Sequence, residues 1–305
     1  MGQAQGDSKM EQIGFVGVGA MGGAIVARLL KHGVPVLAYD TNSEALKRVR
    51  AHGATAAASV REVADNVEVV FACLPDASVC RAVALGPGGV AEGSRVRIYA
   101  DTSTVGGSTA IAIAAGLENR GITFLDSPVV GGVIACETGT LGVVTSGPSS
   151  AFERIQPMLE AFSGRVFYLG EKPGMAQVGK VVNNAVGYAA LYATFEAVAV
   201  GLKAGIDIET LVGIINQGSG ANFHTQKIFP AYIIPRKFAG TGAVEIGVKD
   251  LKCFLEEARR LHADTPMADA VTALGVRAAE SGPAGRDTMT LFHYFCDLAG
   301  VPRLG

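Results

Sequence analysis

Gly17-Val18-Gly19-Ala20-Met21-Gly22 is the segment of this 305-residue chain whose residue types and spacing speak most directly of chemistry. It follows an apolar run at 13–16 and opens an amphipathic stretch over 20–32. Between a strand and a helix, the first glycine permits the tight turn and the second lets a pyrophosphate approach the backbone. The third lets helix and strand pack closely. The helix N-terminus adds N–H donors and the positive end of a dipole. Asp40 stands 21 residues after Gly19 at the end of the next apolar run, where an acid accepts hydrogen bonds from the adenosine ribose hydroxyls. A carboxylate there repels a 2′-phosphate, and Thr41-Asn42 follow in place of an arginine, so NAD is expected over NADP. The glycines alone would also suit a structural turn, or S-adenosylmethionine on a related sheet.

Two further segments end apolar runs: Cys73-Leu74-Pro75 and Asp101-Thr102-Ser103-Thr104. Ligands of open α/β sheets bind at the carboxyl ends of strands. The plainer alternative is a turn in which Asp101 or Ser103 caps the next helix. Taken with the glycine loop, Leu74, Pro75 and Val79 join the cofactor side. The five histidines are dispersed without ligand spacing, which argues against a metal. The five cysteines form an odd set with no CxxC pair, which points to free thiols in a reducing, cytoplasmic compartment.

The elements that must position these residues can be read from periodicity. The runs IGFVGVG, VPVLAYD, VEVVFACLP and VRIYADTS are apolar without alternation, as buried parallel strands are. Amphipathic stretches lie between them, and the later runs GITFLDSP, LGVVTSG and RVFYLG are expected to extend the same sheet. This alternation predicts a Rossmann-like, doubly wound parallel sheet over residues 11–173. From Gly174 to the end the pattern is almost only helical, beginning with a long segment over 175–204. The expected architecture is therefore an α/β dinucleotide domain, a long interdomain helix and an all-helical C-terminal domain over 174–305. The polar first ten residues are expected to be disordered.

Composition narrows the function. Charged residues make up 18% of the chain and the formal net charge is −2, so no basic field exists to attract nucleic acid or anionic membrane. Hydrophobic residues make up 49%, far from a disordered composition. The stretch 185–202 is long enough to span a bilayer, but Glu196 interrupts it, and a buried core helix is the expectation. Its apolar surface exceeds what a lobe of this size needs, which points to a homodimer or homotetramer. Glu196 is read as a polar helix–helix contact. Phe223, His224 and Lys227 are read either as groups that set substrate size or as packing residues.

The chain resembles the β-hydroxyacid dehydrogenase family, in the short form typified by 3-hydroxyisobutyrate dehydrogenase and tartronate semialdehyde reductase. The resemblance rests on GFVGVGAMG (14–22), the Leu74-Pro75 pair, DTST (101–104), DSPVVGG (126–132), GMAQVGKVVNN (174–184) and the Lys249-Asp250 pair. It implies NAD(P)-dependent oxidation at the β-carbon of a small hydroxy acid, or reduction of the corresponding semialdehyde. It further implies that Lys180 is the acid/base residue and that Asn184, four residues on and on the same helix face, orients the substrate hydroxyl. By the same resemblance Ser103 falls to the substrate and Thr104 to the nicotinamide. Gly131 and Gly132 would hold the substrate carboxylate through backbone N–H groups, and Lys249 would serve the cofactor. A free lysine titrates near ~10.4, so desolvation in an interdomain cleft is expected to lower Lys180 toward neutrality.

Two positions depart from the family pattern. Val130 stands where a serine is common before the glycine pair, and Ala176 replaces a glycine. Val130 puts the substrate in question and suggests one other than 3-hydroxyisobutyrate itself. Relatives that reduce imines usually replace the lysine, and larger 6-phosphogluconate enzymes carry a longer helical domain. A catalytically silent nucleotide-binding or scaffold protein on the same fold is the alternative from a different class.

Overall fold

The computed structural model describes residues 10–304, so the expected disordered start lies, except for Met10, outside the described residues. The chain divides into two compact units, the first ending at Lys180 and the second beginning at Val181.

In the first unit, short apolar runs with both faces covered become parallel strands. These are β1 (Ile13–Val16), β2 (Val36–Tyr39), β3 (Thr55–Ala56), β4 (Val69–Ala72), β5 (Ile98–Asp101) and β6 (Thr123–Asp126), all paired in parallel in the order β3-β2-β1-β4-β5-β6. The crossovers are α1 (Ala20–Lys31), α2 (Ser43–Ala51), α3 (Val60–Asn66), α4 (Ala77–Leu85) and α5 (Gly107–Glu118). One core gathers Ile25, Leu29 and Val49 of α1 and α2 against Phe15 and Phe71. The other gathers Val63, Cys80 and Ile113 of α3, α4 and α5 against Tyr99 and Phe124. The strand order reverses direction between β1 and β4. At such a switch point the carboxyl ends of strands open onto one crevice, and there the chain has its glycine loop, Asp40, Cys73-Leu74-Pro75 and Asp101–Thr104.

The remaining runs do not all extend this sheet. Only β6 does. β7 (Val129–Val130), β8 (Gly142–Thr145) and β9 (Arg165–Tyr168) form a second, three-stranded sheet, with β7 antiparallel to β8 and β8 parallel to β9. Between β7 and β8 lies α6 (Val133–Glu137), and α7 (Ser149–Phe162) connects β8 to β9. The two sheets touch at one antiparallel bridge, Asp126 with Ser146, where each N–H donates to the other's carbonyl at 3.1 and 2.9 Å. An apolar run specifies a buried strand but not its neighbour, and here the turn at Ser127-Pro128 redirects the chain.

Helix α8 (Met175–Lys203) runs from the first unit into the second, where α9 (Ile208–Gln217), a π-helical segment (His224–Ile233), α10 (Val244–Arg260), α11 (Pro266–Glu280) and α12 (Leu291–Ala299) complete an all-helical body. By length and composition alone α8 could cross a membrane, and 39% of its apolar window is buried. It is thus a core helix on one side only: Phe195, Val198 and Ala199 are buried, while Val182, Val186 and Val200 are exposed. Glu196 lies on the exposed side rather than in a helix–helix contact.

Phe195 is fully buried and sits at the centre of this unit, its ring 5.3 Å from Phe292 and 5.8 Å from Phe229 and Phe295. Phe195→Ala is expected to cost about 3–5 kcal/mol, because three rings lose a common neighbour and cannot all collapse into the void. Guanidinium unfolding followed by circular dichroism reads this as a lowered midpoint.

Candidate active site

The glycine loop has the geometry its spacing predicts. Gly17 adopts φ +87°, and a Cβ there would lie 2.3 Å from the Cys73 carbonyl oxygen. A Cβ on Gly22 would lie 2.0 Å from the Gly17 carbonyl oxygen, so α1 meets its strand only because that residue is glycine. Gly19 is different: nothing lies within 4 Å of its absent Cβ, and with Ala20 it is exposed at the start of α1. That open ground in front of a helix N-terminus is where a pyrophosphate fits. Val18 is buried beneath the loop and Met21 is half-buried. Asp40 closes the end of β2. Its Oδ2 accepts from the Val18 N–H at 2.7 Å and its Oδ1 from the Asn42 N–H at 2.7 Å. A carboxylate offers about four lone-pair sites, so two ribose hydroxyls find capacity there as well.

Beside the loop, Leu74 and Val79 are half-buried and Pro75 is exposed, with Asp76 capping α4 by accepting from Ser78 and Val79 N–H groups at 2.8 and 3.0 Å. The 101–104 segment is no helix cap. Helix α5 begins at Gly107 behind Gly106, whose φ is +80°, and neither Asp101 nor Ser103 caps it. Ser103 is 4% exposed, and its hydroxyl accepts from the Leu74 N–H at 2.8 Å, tying two of the candidate segments together from within. Thr104 is half-buried beyond it. Gly131, at φ +120°, and Gly132 are both exposed between half-buried Val130 and α6.

Lys180 is 9% exposed on α8, between half-buried Gly179 and fully buried Val181. The start of this helix is held by residues that motif reading passed over. Asp126 accepts from the Gly174 N–H at 3.2 Å, the Gln177 N–H at 3.1 Å and the Ser146 hydroxyl at 2.6 Å. Burial pushes its carboxyl above the usual range while these donors pull it back. Ser146 in turn accepts from the Ala176 N–H at 3.0 Å. Local sequence carries no sign of these contacts, because the partners lie 20 to 51 residues apart.

In the second unit, Asn184 donates through Nδ2 to Asp250 at 2.6 Å, and Lys249 pairs with the other oxygen of the same carboxylate at 3.2 Å. Asp250, 5% exposed, is the member of the Lys249-Asp250 pair that motif reading left without a role. The structure thus gathers Asn184, Lys249 and Asp250 at one point. His224 hydrogen-bonds through Nε2 to the Gly187 carbonyl at 2.8 Å, and burial lowers its pKa, which fits a packing role. Phe223 and Lys227 are exposed.

Residues 12–170 match the family model described as the NAD binding domain of 6-phosphogluconate dehydrogenase, and residues 174–295 match that of the NAD-binding of NADP-dependent 3-hydroxyisobutyrate dehydrogenase. The chain is 32% identical over 286 residues to 2-(hydroxymethyl)glutarate dehydrogenase of Eubacterium barkeri, covering 92% of this chain and 93% of that one. It is 33% identical over 265 residues to 3-hydroxyisobutyrate dehydrogenase of Pseudomonas aeruginosa, covering 85% and 89%. The crystal structure of 3-hydroxyisobutyrate dehydrogenase from Salmonella typhimurium superposes with a TM-score of 0.83 at 27% identity, covering 93% of this chain and 99% of that one. These matches place the chain in the β-hydroxyacid dehydrogenase family, as an NAD-dependent oxidoreductase acting on the CH–OH group of a small hydroxy acid.

Proposed function

We propose that the chain interconverts a 3-hydroxy acid of the form HOCH2–CHR–COO− and its semialdehyde, with Lys180 as acid/base. The observation that carries this reading is the burial of Lys180 on a helix whose first turn is fixed by the Asp126 carboxylate. The two relatives named above support the substrate class. Their names describe acids with a hydroxymethyl group on the carbon next to a carboxylate, differing only in R.

Hydride leaves the carbinol carbon only as the hydroxyl proton is taken, so a base must touch that oxygen. The cofactor residues named below would hold NAD, which would supply the hydride acceptor. Lys180 takes the proton as a neutral amine and returns it as an ammonium in the reverse direction. Asn184, one helical turn on and held by Asp250, orients the hydroxyl without adding charge. The backbone N–H groups of Gly131 and Gly132 receive the carboxylate. Ser103 falls to the substrate side, its hydroxyl accepting from the Leu74 N–H. Thr104 faces the nicotinamide side, and Lys249 serves the cofactor. The loop 17–22 takes the pyrophosphate, Asp40 the adenosine ribose, and Leu74, Pro75 and Val79 flank the cofactor. Asp40 confers the preference for NAD.

We further assign the chain to the cytoplasm, in keeping with cysteines that are free at all five positions, and to a homodimer or homotetramer. The exposed valines of α8, at 46, 68 and 60% for Val182, Val186 and Val200, support assembly.

A panel of 3-hydroxy acids with NAD and NADP, read by absorbance of the reduced cofactor, tests the class, base and cofactor together. Turnover is expected with NAD and is expected to vanish in Lys180→Ala while NAD still binds. Faster turnover with NADP would overturn the role given to Asp40. In Val130→Ser, a gained hydroxyl beside the glycine pair should shift kcat/KM toward 3-hydroxyisobutyrate by about tenfold, a hydrogen bond's worth; an unchanged profile would remove Val130 from specificity. Light scattering on the purified chain should give two or four times the 31.3 kDa chain mass, and a monomer would refute assembly.

A further inference from the structure

Gln177 stands three residues before Lys180 on α8, and its side chain is 1% exposed. Its Oε1 accepts from the N–H groups of Val105 and Gly106 at 3.0 and 3.2 Å, and its Nε2 donates to the Ser103 carbonyl at 3.0 Å. Only one orientation of the amide satisfies two donors and one acceptor, so the side chain is locked. Its own backbone N–H is held by Asp126. One residue therefore ties the Ser103–Gly106 turn to the first turn of α8, across 71 to 74 residues of sequence.

We propose that Gln177 is a positioning residue for the reaction: it sets the placement of Lys180 relative to the Ser103-Thr104 turn. The inference rests on the reading of Lys180 as acid/base. In that reading the turn and the lysine approach the same reacting carbon from different strands and helices, and nothing in the local sequence fixes their spacing. The clamp supplies it. Misplacement of a reacting group by about 1 Å costs on the order of a hundredfold in rate. A packing residue replaced by an isostere would cost stability instead.

Two variants separate these roles. Gln177→Leu removes all three hydrogen bonds. It is expected to lower kcat by about tenfold to a hundredfold while the dissociation constant of NAD changes by less than about twofold. Gln177→Glu keeps the acceptor for Val105 and Gly106, but once ionised it has no proton for the Ser103 carbonyl. When protonated it donates again. Burial and the nearby carboxylates Asp101 and Asp126, both fully buried, raise the pKa of such a group. In the reductive direction, its kcat relative to wild type is therefore expected to recover as pH falls. A mere charge effect on Lys180 would act oppositely there, because added negative charge favours the ammonium that reduction needs.

A ratio independent of pH, or wild-type kcat in Gln177→Leu, overturns the proposal. If Gln177→Leu fails to fold, as circular dichroism and NAD binding would reveal, Gln177→Glu decides. Undiminished turnover in Lys180→Ala would sink the acid/base reading itself, an outcome distinct from either Gln177 result.

Discussion

The first turn of a helix has backbone N–H groups with no partner inside the helix, and burying them unpaired is costly. At the start of α8 this constraint is met by one buried carboxylate, Asp126, and the hydroxyl of Ser146 beside it. Both residues come from the single bridge at which the two sheets meet. The end of β6, the end of β8 and the start of α8 are thereby fixed together, and the buried Lys180 follows one turn later. A charged acceptor forms stronger hydrogen bonds than a neutral one, which suits a buried junction with three donors.

The glycine loop was legible because its requirements are local. A left-handed turn at Gly17, a helix pressed on a carbonyl at Gly22 and open ground at Gly19 each exclude side chains for reasons that neighbouring residues impose. Asp40 was legible for the same reason, since the end of β2 lies next to the loop. The six-stranded sheet followed from apolar runs alternating with amphipathic ones. Strand pairing did not. Val129–Val130, Gly142–Thr145 and Arg165–Tyr168 read as more of the same sheet, yet they pair among themselves, because pairing is decided by the path of the chain after Asp126.

Long-range polar contacts were the other blind spot. Gln177 and Asp126 lie inside motifs whose recognisable chemistry belongs to their neighbours, and nothing in their local surroundings marks them as partners. Asp250 was visible as half of a charged pair, but only the fold shows it bonded to Asn184 as well as to Lys249. In the first unit Ser103 turned inward to the Leu74 amide, a use of a hydroxyl that its position at a strand end did not predict.

That α8 begins in one compact unit and ends in the other has a consequence for recombination. A crossover just before Met175 follows the change from mixed to helical composition and carries Lys180 and Asn184 to a new host together. It also parts Gln177 from the Ser103–Gly106 turn and the helix start from Asp126 and Ser146. A chimera joined there inherits its chemistry from one parent and the alignment of that chemistry from the other. A junction after Lys180 leaves the brace whole but draws Lys180 and Asn184 from different parents. The four-residue interval between them must then be preserved, since a single inserted residue would turn Asn184 about 100° around the helix.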